Sequence, residues 1–325
     1  MAPHLSVIIP TYNRREIVLK TLEGYKRQTA TDEILEVVVV DDGSADGTGE
    51  AVAQSALSSP FPIRLLRQDN RGLASARNLG IRGAKGDLIL FGDDDIIPTS
   101  TLVAEHVAWN KKYPAPSVAI LGLVAWSPDV NATPFMEWLG LDCVLFSFGH
   151  LSPGSEVGPA YTYFCNTSVK KCFLLEKGMF DEDFRAYGFE DIELGHRLMK
   201  KGFRLFYNPD AIGHHYKRMT FADVCRRAVL VDAAHELFSA KVPVEEREEL
   251  ATSGKASTSR LALSKLVRRL APALVPVLAP ALRPLVFVLD TQIPLPWFVY
   301  RVFYYVMARK QVSATKLSRL QLKPE

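Results

Sequence analysis

Short runs of apolar residues alternate with amphipathic segments along the first hundred residues of the chain. The runs are rich in Val, Ile and Leu and end in polar turn residues, which is typical of strands buried in a parallel sheet. The segments between them repeat apolar residues with the period of a helix. The pattern predicts strands at residues 5–10, 36–40, 61–67 and 87–91, and helices at residues 16–29, 49–57 and 72–82. This alternation predicts an α/β fold built on a mainly parallel sheet.

The remainder of the chain follows a less regular pattern. Strands are predicted at residues 118–126, 161–169 and 203–207, and helical segments at residues 106–112, 191–201 and 221–238. Residues 244–259 are polar and predict a connection between two regions. We expect a body of residues 1–240, followed by a basic, proline-rich helical region of residues 241–325.

The charged residues are divided unevenly between these two regions. The chain holds 39 Lys and Arg against 36 Asp and Glu, a formal net charge of +3 at pH 7. Residues 241–325 hold 14 of the basic and 6 of the acidic residues, a charge of +8, which leaves −5 for residues 1–240. This asymmetry indicates a polyanionic partner for the C-terminal region. The overall composition lies near the globular average, which excludes a disordered or collagen-like protein.

Two segments of the C-terminal region suggest an anionic membrane surface as that partner. Residues 256–270 place Leu and Val on one side of a predicted helix and Arg and Lys largely opposite, and residues 293–307 are rich in aromatic side chains. Alternatively, both segments pack on the body of the protein. The apolar residues 270–289 carry four prolines, which argues against a simple transmembrane helix. Because no signal peptide or CxxC spacing is present, we expect a cytoplasmic protein, peripheral on the inner face of the cell membrane.

Acidic residues follow two of the predicted strands. Asp93, Asp94 and Asp95 come directly after the fourth strand, where a divalent cation such as Mg²⁺ or Mn²⁺ would offset their repulsion. The alternative is a turn that favours aspartate. Asp41 ends the second strand, where its carboxylate either accepts a hydrogen bond from a base or forms an Asx turn. The base could be uracil or thymine, through the imide N–H, or guanine, through its N–H groups. Because the carboxyl ends of parallel strands share one edge of the sheet, we expect a ligand site there.

Two arginines lie near the start of the third predicted helix. The guanidinium groups of Arg71 and Arg77 suit a diphosphate, and Gly72 permits a close approach of the backbone. The alternative is a loop-to-helix junction with surface arginines. No GxGxxG after a strand, P-loop or GxSxG motif is present, so dinucleotide-binding, P-loop NTPase and α/β-hydrolase functions lose their main support.

Acidic residues and a histidine in the second half of the chain also have two interpretations each. Glu190 and Asp191 open a predicted helix, whose dipole alone would favour them there. The functional interpretation is a general base that takes a proton from an acceptor hydroxyl. His215 follows the last predicted strand by a short loop and is either structural or a further ligand of a metal at Asp95.

Five motifs occur in order over roughly residues 4–225. They are SVIIPTYNR, VVVVDDGSADGT, NRGLASARNLGI, GDLILFGDDDIIP and FRAYGFEDIELGHRLMKKGFRLFYNPDAIGHH. Together they resemble the family 2 inverting glycosyltransferases, which have the GT-A fold. The resemblance implies a catalytic domain over residues 1–240, with a nucleotide-sugar half of about residues 1–100 and an acceptor half of about residues 101–240. The QxxRW motif usual in processive synthases is missing, which favours transfer of one sugar.

The resemblance also implies roles for individual residues, with a Mn²⁺ or Mg²⁺ ion and a UDP- or dTDP-sugar donor. The set expected to bind the nucleotide sugar is Pro10, Thr11, Tyr12, Asn13, Asp41, Arg71, Arg77, Asp93 and Asp94. The expected metal ligands are Asp95, Asp93 and His215. Asp191 is the expected general base, beside Glu190.

The implied reaction transfers a sugar, with inversion, to a hydroxyl of a glycan or lipid-linked acceptor, and we expect no nucleic-acid partner. The alternatives are a non-catalytic nucleotide-sugar or lipid-binding protein on the same scaffold, and a polyprenyl-phosphate glycosyltransferase. A nucleotidyltransferase is a further alternative, but it usually carries a glycine-rich signature near the first strand, where this chain has PTYNRR.

Overall fold

The computed structural model describes residues 5–141, 145–185, 187–247 and 278–321; the side chains of residues 309 and 313–321 are not described. The chain divides into two compact units, one of Met1–Asp129 and Leu151–Lys217, the other of Val130–His150 and Arg218–Glu325. The domain boundary expected near residue 240 remains a prediction. Among the described helices, none is long and apolar enough to cross a membrane.

The first four strands form the parallel half of a sheet in the first unit. Strands β1 (Leu5–Thr11), β2 (Ile34–Asp41), β3 (Ile63–Arg67) and β4 (Leu88–Gly92) lie in the order β3-β2-β1-β4, and every neighbouring pair is parallel. Helices α1 (Arg15–Lys26), α2 (Thr48–Ala56) and α3 (Leu73–Gly83) connect them. Strands β1 and β4 are buried along their whole length, as their continuous apolar sequences require. The predicted elements of this half are confirmed, with ends that differ by at most three residues.

The other half of the sheet mixes both strand directions. It contains β5 (Ile96–Pro98), β6 (Val118–Trp126), β7 (Glu156–Val157), β8 (Asn166–Lys170) and β9 (Arg204–His215). Strand β8 is antiparallel to both β4 and β6, while β9 is parallel to β6 and antiparallel to β5 and β7. The expected parallel sheet therefore holds for β1 to β4, and the full order is β3-β2-β1-β4-β8-β6-β9-β5, with β7 beside β9.

Two predicted strands have different bounds in the structure. A strand at residues 203–207 followed by a loop was expected, but β9 continues to His215. It continues because its pairing with β6 shifts register between Gly122 and Leu123 and resumes at Ile212. The loop-like sequence of residues 209–211 is thus a bulge inside one strand. Strand β8 begins only at Asn166, because the residues before it turn towards the helix that starts at Glu190.

Within the described ranges, the remaining α-helices are α4 (Leu102–Lys112), α5 (Pro134–Leu141), α6 (Lys171–Lys177), α7 (Glu190–Met199), α8 (Phe221–Lys241) and α9 (Trp297–Gln321). The second unit contains α5, α8 and α9, which pack through aromatic residues such as Phe135, Phe221 and Tyr300. Helix α8 starts at a capping box in which Thr220 and Asp223 each accept a backbone N–H of the other. The predicted helix at residues 256–270 and most of the polar connection at residues 244–259 lie outside the described residues.

Candidate active site

The carboxyl ends of β1, β2 and β4 meet at one edge of the sheet. Thr11 is the last residue of β1 and pairs with Asp41 at the end of β2. Its hydroxyl Oγ1 donates a hydrogen bond of 2.8 Å to Asp94 Oδ2. The sequence predicted this convergence, because parallel strands end at a common edge.

Asp93, Asp94 and Asp95 form a tight turn between β4 and β5. The turn is closed by Ile96 N–H, which donates to Asp93 O at 3.2 Å. Arg14 spans two of the carboxylates, with Nη1 3.0 Å from Asp94 Oδ1 and Nη2 2.8 Å from Asp95 Oδ2. Burial raises the pKa of Asp94 to about 7, despite the opposing charge of Arg14. Burial also acts on Asp95, but His215 and Arg14 together lower the pKa of that carboxyl.

Asp95 and His215 form a pair of potential metal ligands. Strand β9 pairs His215 with Ile96 of β5, and this places His215 Nε2 3.6 Å from Asp95 Oδ2. No group of three His, Cys, Asp or Glu side chains suited to a metal ion occurs among the described residues. A carboxylate oxygen and an imidazole nitrogen nevertheless fit a divalent ion whose other ligands are substrate phosphates. Asp93, the third expected ligand, directs Oδ1 to Arg77 Nη2 at 3.0 Å.

Arg77 connects the aspartate turn with the start of α7. It projects from α3 and is almost fully buried, with Nη1 2.6 Å from Asp191 Oδ1 and 3.2 Å from Glu190 Oε1. Its guanidinium lies 5.3 Å from the ring centroid of Phe180. Although Arg77 was expected to bind a diphosphate, its guanidinium contacts three carboxylates, so its role towards a donor stays a prediction.

Asp191 is held from two sides and remains partly accessible. The backbone N–H of Phe164 donates to Asp191 Oδ2 at 3.1 Å, while Arg77 engages the other oxygen. The Asp191 side chain is 20% exposed. Burial raises the pKa of Asp191 to about 8, against the opposing effect of Arg77. A carboxyl group with a pKa near the working pH is suited to general base catalysis.

Asp41 and its neighbour Asp42 shape two loops at the same edge. Asp41 is fully buried and accepts the Ser44 N–H at 2.8 Å through Oδ1, which is the contact of the Asx-turn interpretation. Asp41 Oδ2 has no hydrogen-bond partner among the described residues. Asp42 accepts the backbone N–H groups of Arg71 and Gly72, both at 2.9 Å, and so fixes the loop before α3.

The other residues expected to bind a nucleotide lie in β1 or in the loops near this edge. Pro10 is buried in β1, and Tyr12 is an exposed aromatic side chain just after the strand. Asn13 accepts the Ala45 N–H at 2.8 Å and thereby joins the loops that follow β1 and β2. The Arg71 guanidinium is more than half exposed and pairs with Glu182 at 2.9 Å.

Two residues near the aspartate turn were not identified from the sequence. Arg14 ends the SVIIPTYNR motif, but nothing in the sequence indicated that its side chain contacts the aspartate turn. Trp126, at the end of β6, stacks on His215 with ring centroids 5.1 Å apart and an interplanar angle of 15°. An aromatic residue that ends a predicted strand near the site edge was the signal that could have identified Trp126.

The family model "Glycosyl transferase family 2" matches residues 6–139, a stretch that includes the ends of β1, β2 and β4. Residues 6–139 of the chain are therefore similar to glycosyltransferase family 2. This match confirms the resemblance carried by the motifs.

Two curated glycosyltransferases are also similar to this chain. The uncharacterized glycosyltransferase YfnE of Bacillus subtilis (strain 168) is 28% identical over 253 residues, covering 65% of this chain and 64% of that protein. The validoxylamine A glucosyltransferase of Streptomyces hygroscopicus subsp. limoneus is 31% identical over 239 residues, covering 65% of this chain and 51% of that protein. The chain therefore spans between about half and two thirds of the length of these relatives.

A solved structure shows the same fold. The mannosyltransferase PcManGT of Pyrobaculum calidifontis, in complex with GDP-Man and Mn²⁺, superposes with a TM-score of 0.61 at 20% sequence identity. The match covers 97% of this chain and 88% of that protein. The expected GT-A fold is confirmed.

Proposed function

We propose that this chain is a family 2 glycosyltransferase, which transfers one sugar, with inversion, from a nucleotide-diphosphate sugar to a hydroxyl group of a glycan or lipid-linked acceptor. The observation that carries the proposal is the shared contact of Arg77. One buried guanidinium binds Asp191, the candidate base, and Asp93, in the turn expected to bind the donor. The same cation thus holds the acceptor-side and donor-side carboxylates next to each other.

Asp191 is the general base in this proposal. Its partial exposure leaves it accessible to an acceptor hydroxyl, while Phe164 and Arg77 fix the direction of its two oxygens. Proton removal by Asp191 would let the acceptor oxygen attack the anomeric carbon on the face opposite the leaving diphosphate. A Mn²⁺ or Mg²⁺ ion held by Asp95 and His215 would supply charge neutralisation for the departing nucleoside diphosphate.

The nucleotide is proposed to lie along the loops that follow β1 and β2. Tyr12 offers an exposed ring for stacking. Asp41 Oδ2 accepts no hydrogen bond from the described residues, although Arg67 Nη1 lies 3.7 Å from it. An acceptor of this kind suits the imide N–H of uracil or thymine, so UDP or dTDP is the proposed carrier. The Mn²⁺ and GDP-Man of the superposed mannosyltransferase support a divalent ion and a nucleotide-sugar donor.

A thermal-shift screen of nucleotide sugars with and without Mn²⁺ identifies the donor, and Asp191→Asn then tests the base. We expect the variant to release the nucleoside diphosphate at least 10²-fold more slowly, because a general base usually contributes this much to the rate. The variant should still bind the donor. Asp210→Asn, an exposed carboxylate on β9, is the matched control and should keep normal turnover. Turnover by Asp191→Asn near that of the unmodified protein would exclude Asp191 as the base. Donor binding without turnover by the unmodified protein would favour the non-catalytic alternative.

We further propose that the second unit binds an anionic membrane surface, on the cytoplasmic face of the cell membrane. Four large apolar side chains are exposed within residues 285–298: Leu285 (49%), Phe287 (67%), Ile293 (56%) and Phe298 (48%). Arg283 is exposed beside them. Apolar side chains combined with a basic one are typical of interfacial membrane binding.

Flotation with liposomes that contain phosphatidylglycerol tests this surface. The double variant Leu285→Ser, Phe287→Ser should bind the liposomes several-fold more weakly than the unmodified protein. Leu57→Ser removes an apolar side chain that is 79% exposed in the first unit, and should leave flotation unchanged. Equal flotation of all three proteins would contradict a membrane-binding role for residues 285–287.

A further inference from the structure

Arg14 is a cation placed on the aspartate turn by the loop between β1 and α1. Its two terminal nitrogens lie 3.0 Å from Asp94 Oδ1 and 2.8 Å from Asp95 Oδ2. Both carboxylates are buried, whereas the Arg14 side chain is 37% exposed. The guanidinium therefore covers the turn from the solvent side.

The contact with Asp95 involves the oxygen that also faces His215. Arg14 Nη2 and His215 Nε2 both approach Asp95 Oδ2, at 2.8 Å and 3.6 Å. A divalent ion held by Asp95 and His215 would use the same oxygen that Arg14 now binds. Two cations on one carboxylate oxygen repel each other, so binding of the ion opposes the Arg14 contact.

The side chain of Arg14 can leave without disturbing the backbone. The carbonyl oxygen of Arg14 accepts the Val18 N–H at 3.1 Å and so anchors the residue to the first turn of α1. The preceding loop is fixed separately by Asn13, through Ser44 and Ala45. A long, partly exposed side chain on a fixed backbone changes its partner through rotation of its own bonds.

We propose that Arg14 is an exchangeable counter-cation of the aspartate turn. Before the donor binds, Arg14 pairs with Asp94 and Asp95. When the divalent ion binds Asp95, the Arg14 guanidinium leaves that carboxylate and binds the donor diphosphate. A guanidinium suits that second partner, because its fork of N–H donors matches phosphate oxygens as well as carboxylate oxygens. The inference rests on the proposed function for the metal and the diphosphate, and it adds a residue that acts on both.

The test measures binding of Mn²⁺ alone, by the loss of its free-ion electron paramagnetic resonance signal, and then binding of UDP in the presence of Mn²⁺ by calorimetry. Arg14→Met should bind Mn²⁺ about tenfold more tightly than the unmodified chain, because a competing ion pair is removed. The same variant should bind UDP with Mn²⁺ about tenfold more weakly, because a phosphate ligand is lost. Arg15→Met is the matched control: Arg15 is exposed and has the same charge, so both affinities should stay unchanged.

The reversal of sign between the two measurements distinguishes exchange from a structural role. Mn²⁺ binding by Arg14→Met that equals or falls below that of the unmodified chain would overturn the proposal, as would unchanged UDP binding. Should Arg14→Met fail to fold, Arg14→Lys must show the same two directions with smaller factors, of about threefold. If the unmodified chain binds no nucleoside diphosphate, the proposed function fails, while the Mn²⁺ measurement still decides the first half of the exchange. If neither protein binds Mn²⁺, both the metal site and the exchange are overturned.

Discussion

His106 is a buried histidine whose surroundings require the neutral form of the ring. It lies on α4 with no exposed surface, and its Nε2 is 2.9 Å from Asn166 Oδ1. The Asn166 amide nitrogen donates to Leu123 O and Ala211 O, at 2.9 Å and 2.8 Å, so Oδ1 is the acceptor of that amide. His106 Nε2 must therefore carry a proton.

The other ring nitrogen of His106 accepts a hydrogen bond. Nδ1 lies 2.9 Å from Ser168 Oγ, and the same hydroxyl accepts from Asn110 Nδ2 at 2.7 Å. The Ser168 O–H is thus free to donate to Nδ1. Protonation of Nδ1 would place two donors face to face and add a charge in a buried position, so the folded protein disfavours the imidazolium.

The consequence for stability can be calculated from the pKa. Burial lowers the pKa of His106 from 6.5 to about 4. Below pH 6.5 the unfolded chain takes up a proton that the folded chain does not, so the free energy of unfolding falls with falling pH until about pH 4. At about 1.4 kcal/mol per pH unit, His106 lowers this free energy by ~2 kcal/mol at pH 5 and by ~3 kcal/mol near pH 4.

Urea unfolding between pH 5 and pH 8 measures this effect. Comparison with His106→Gln isolates it, because the variant retains a side-chain N–H for Asn166 and cannot take up the proton. Its unfolding free energy should depend less on pH, with a gain of ~2 kcal/mol relative to the unmodified chain between pH 8 and pH 5. His196→Gln, on α7, controls for the removal of a histidine as such. An equal pH dependence of His106→Gln and the unmodified chain would refute this reasoning.

Two further predictions concern buried contacts near the candidate site. Arg77→Met should lower the free energy of unfolding by about 3–5 kcal/mol, because it leaves buried carboxylates without their cation. Urea titrations measure this loss, and a value below about 1 kcal/mol would contradict the prediction. Gly92→Ala should destabilise by about 1–3 kcal/mol, because its Cβ would lie 2.8 Å from Tyr25 Oη. Tyr25→Phe should recover part of the Gly92→Ala loss in a double-mutant cycle, and strict additivity would argue against the clash.

Local patterns determined most of the first half of the fold. Strands β1 to β4 and the helices between them were predictable because each consists of contiguous residues. The spacing of the apolar residues within such a segment indicates which of them are buried. The edge where Thr11, Asp41 and Asp93 gather was predictable too, because the parallel direction of these strands follows from the helical connections. The five motifs added the resemblance to a family, and hence the expected roles of these residues.

The partners of the charged side chains were decided only by the tertiary structure. Nothing in the sequence directs Arg14 towards Asp94 and Asp95, or Arg77 towards residues more than a hundred positions away. The extension of β9 to His215 likewise depends on its register with β6 and β5. A local pattern records whether a residue is buried, and on which face of its element. The choice among several opposite charges depends on distances across the fold, which only the packed arrangement of strands and helices sets.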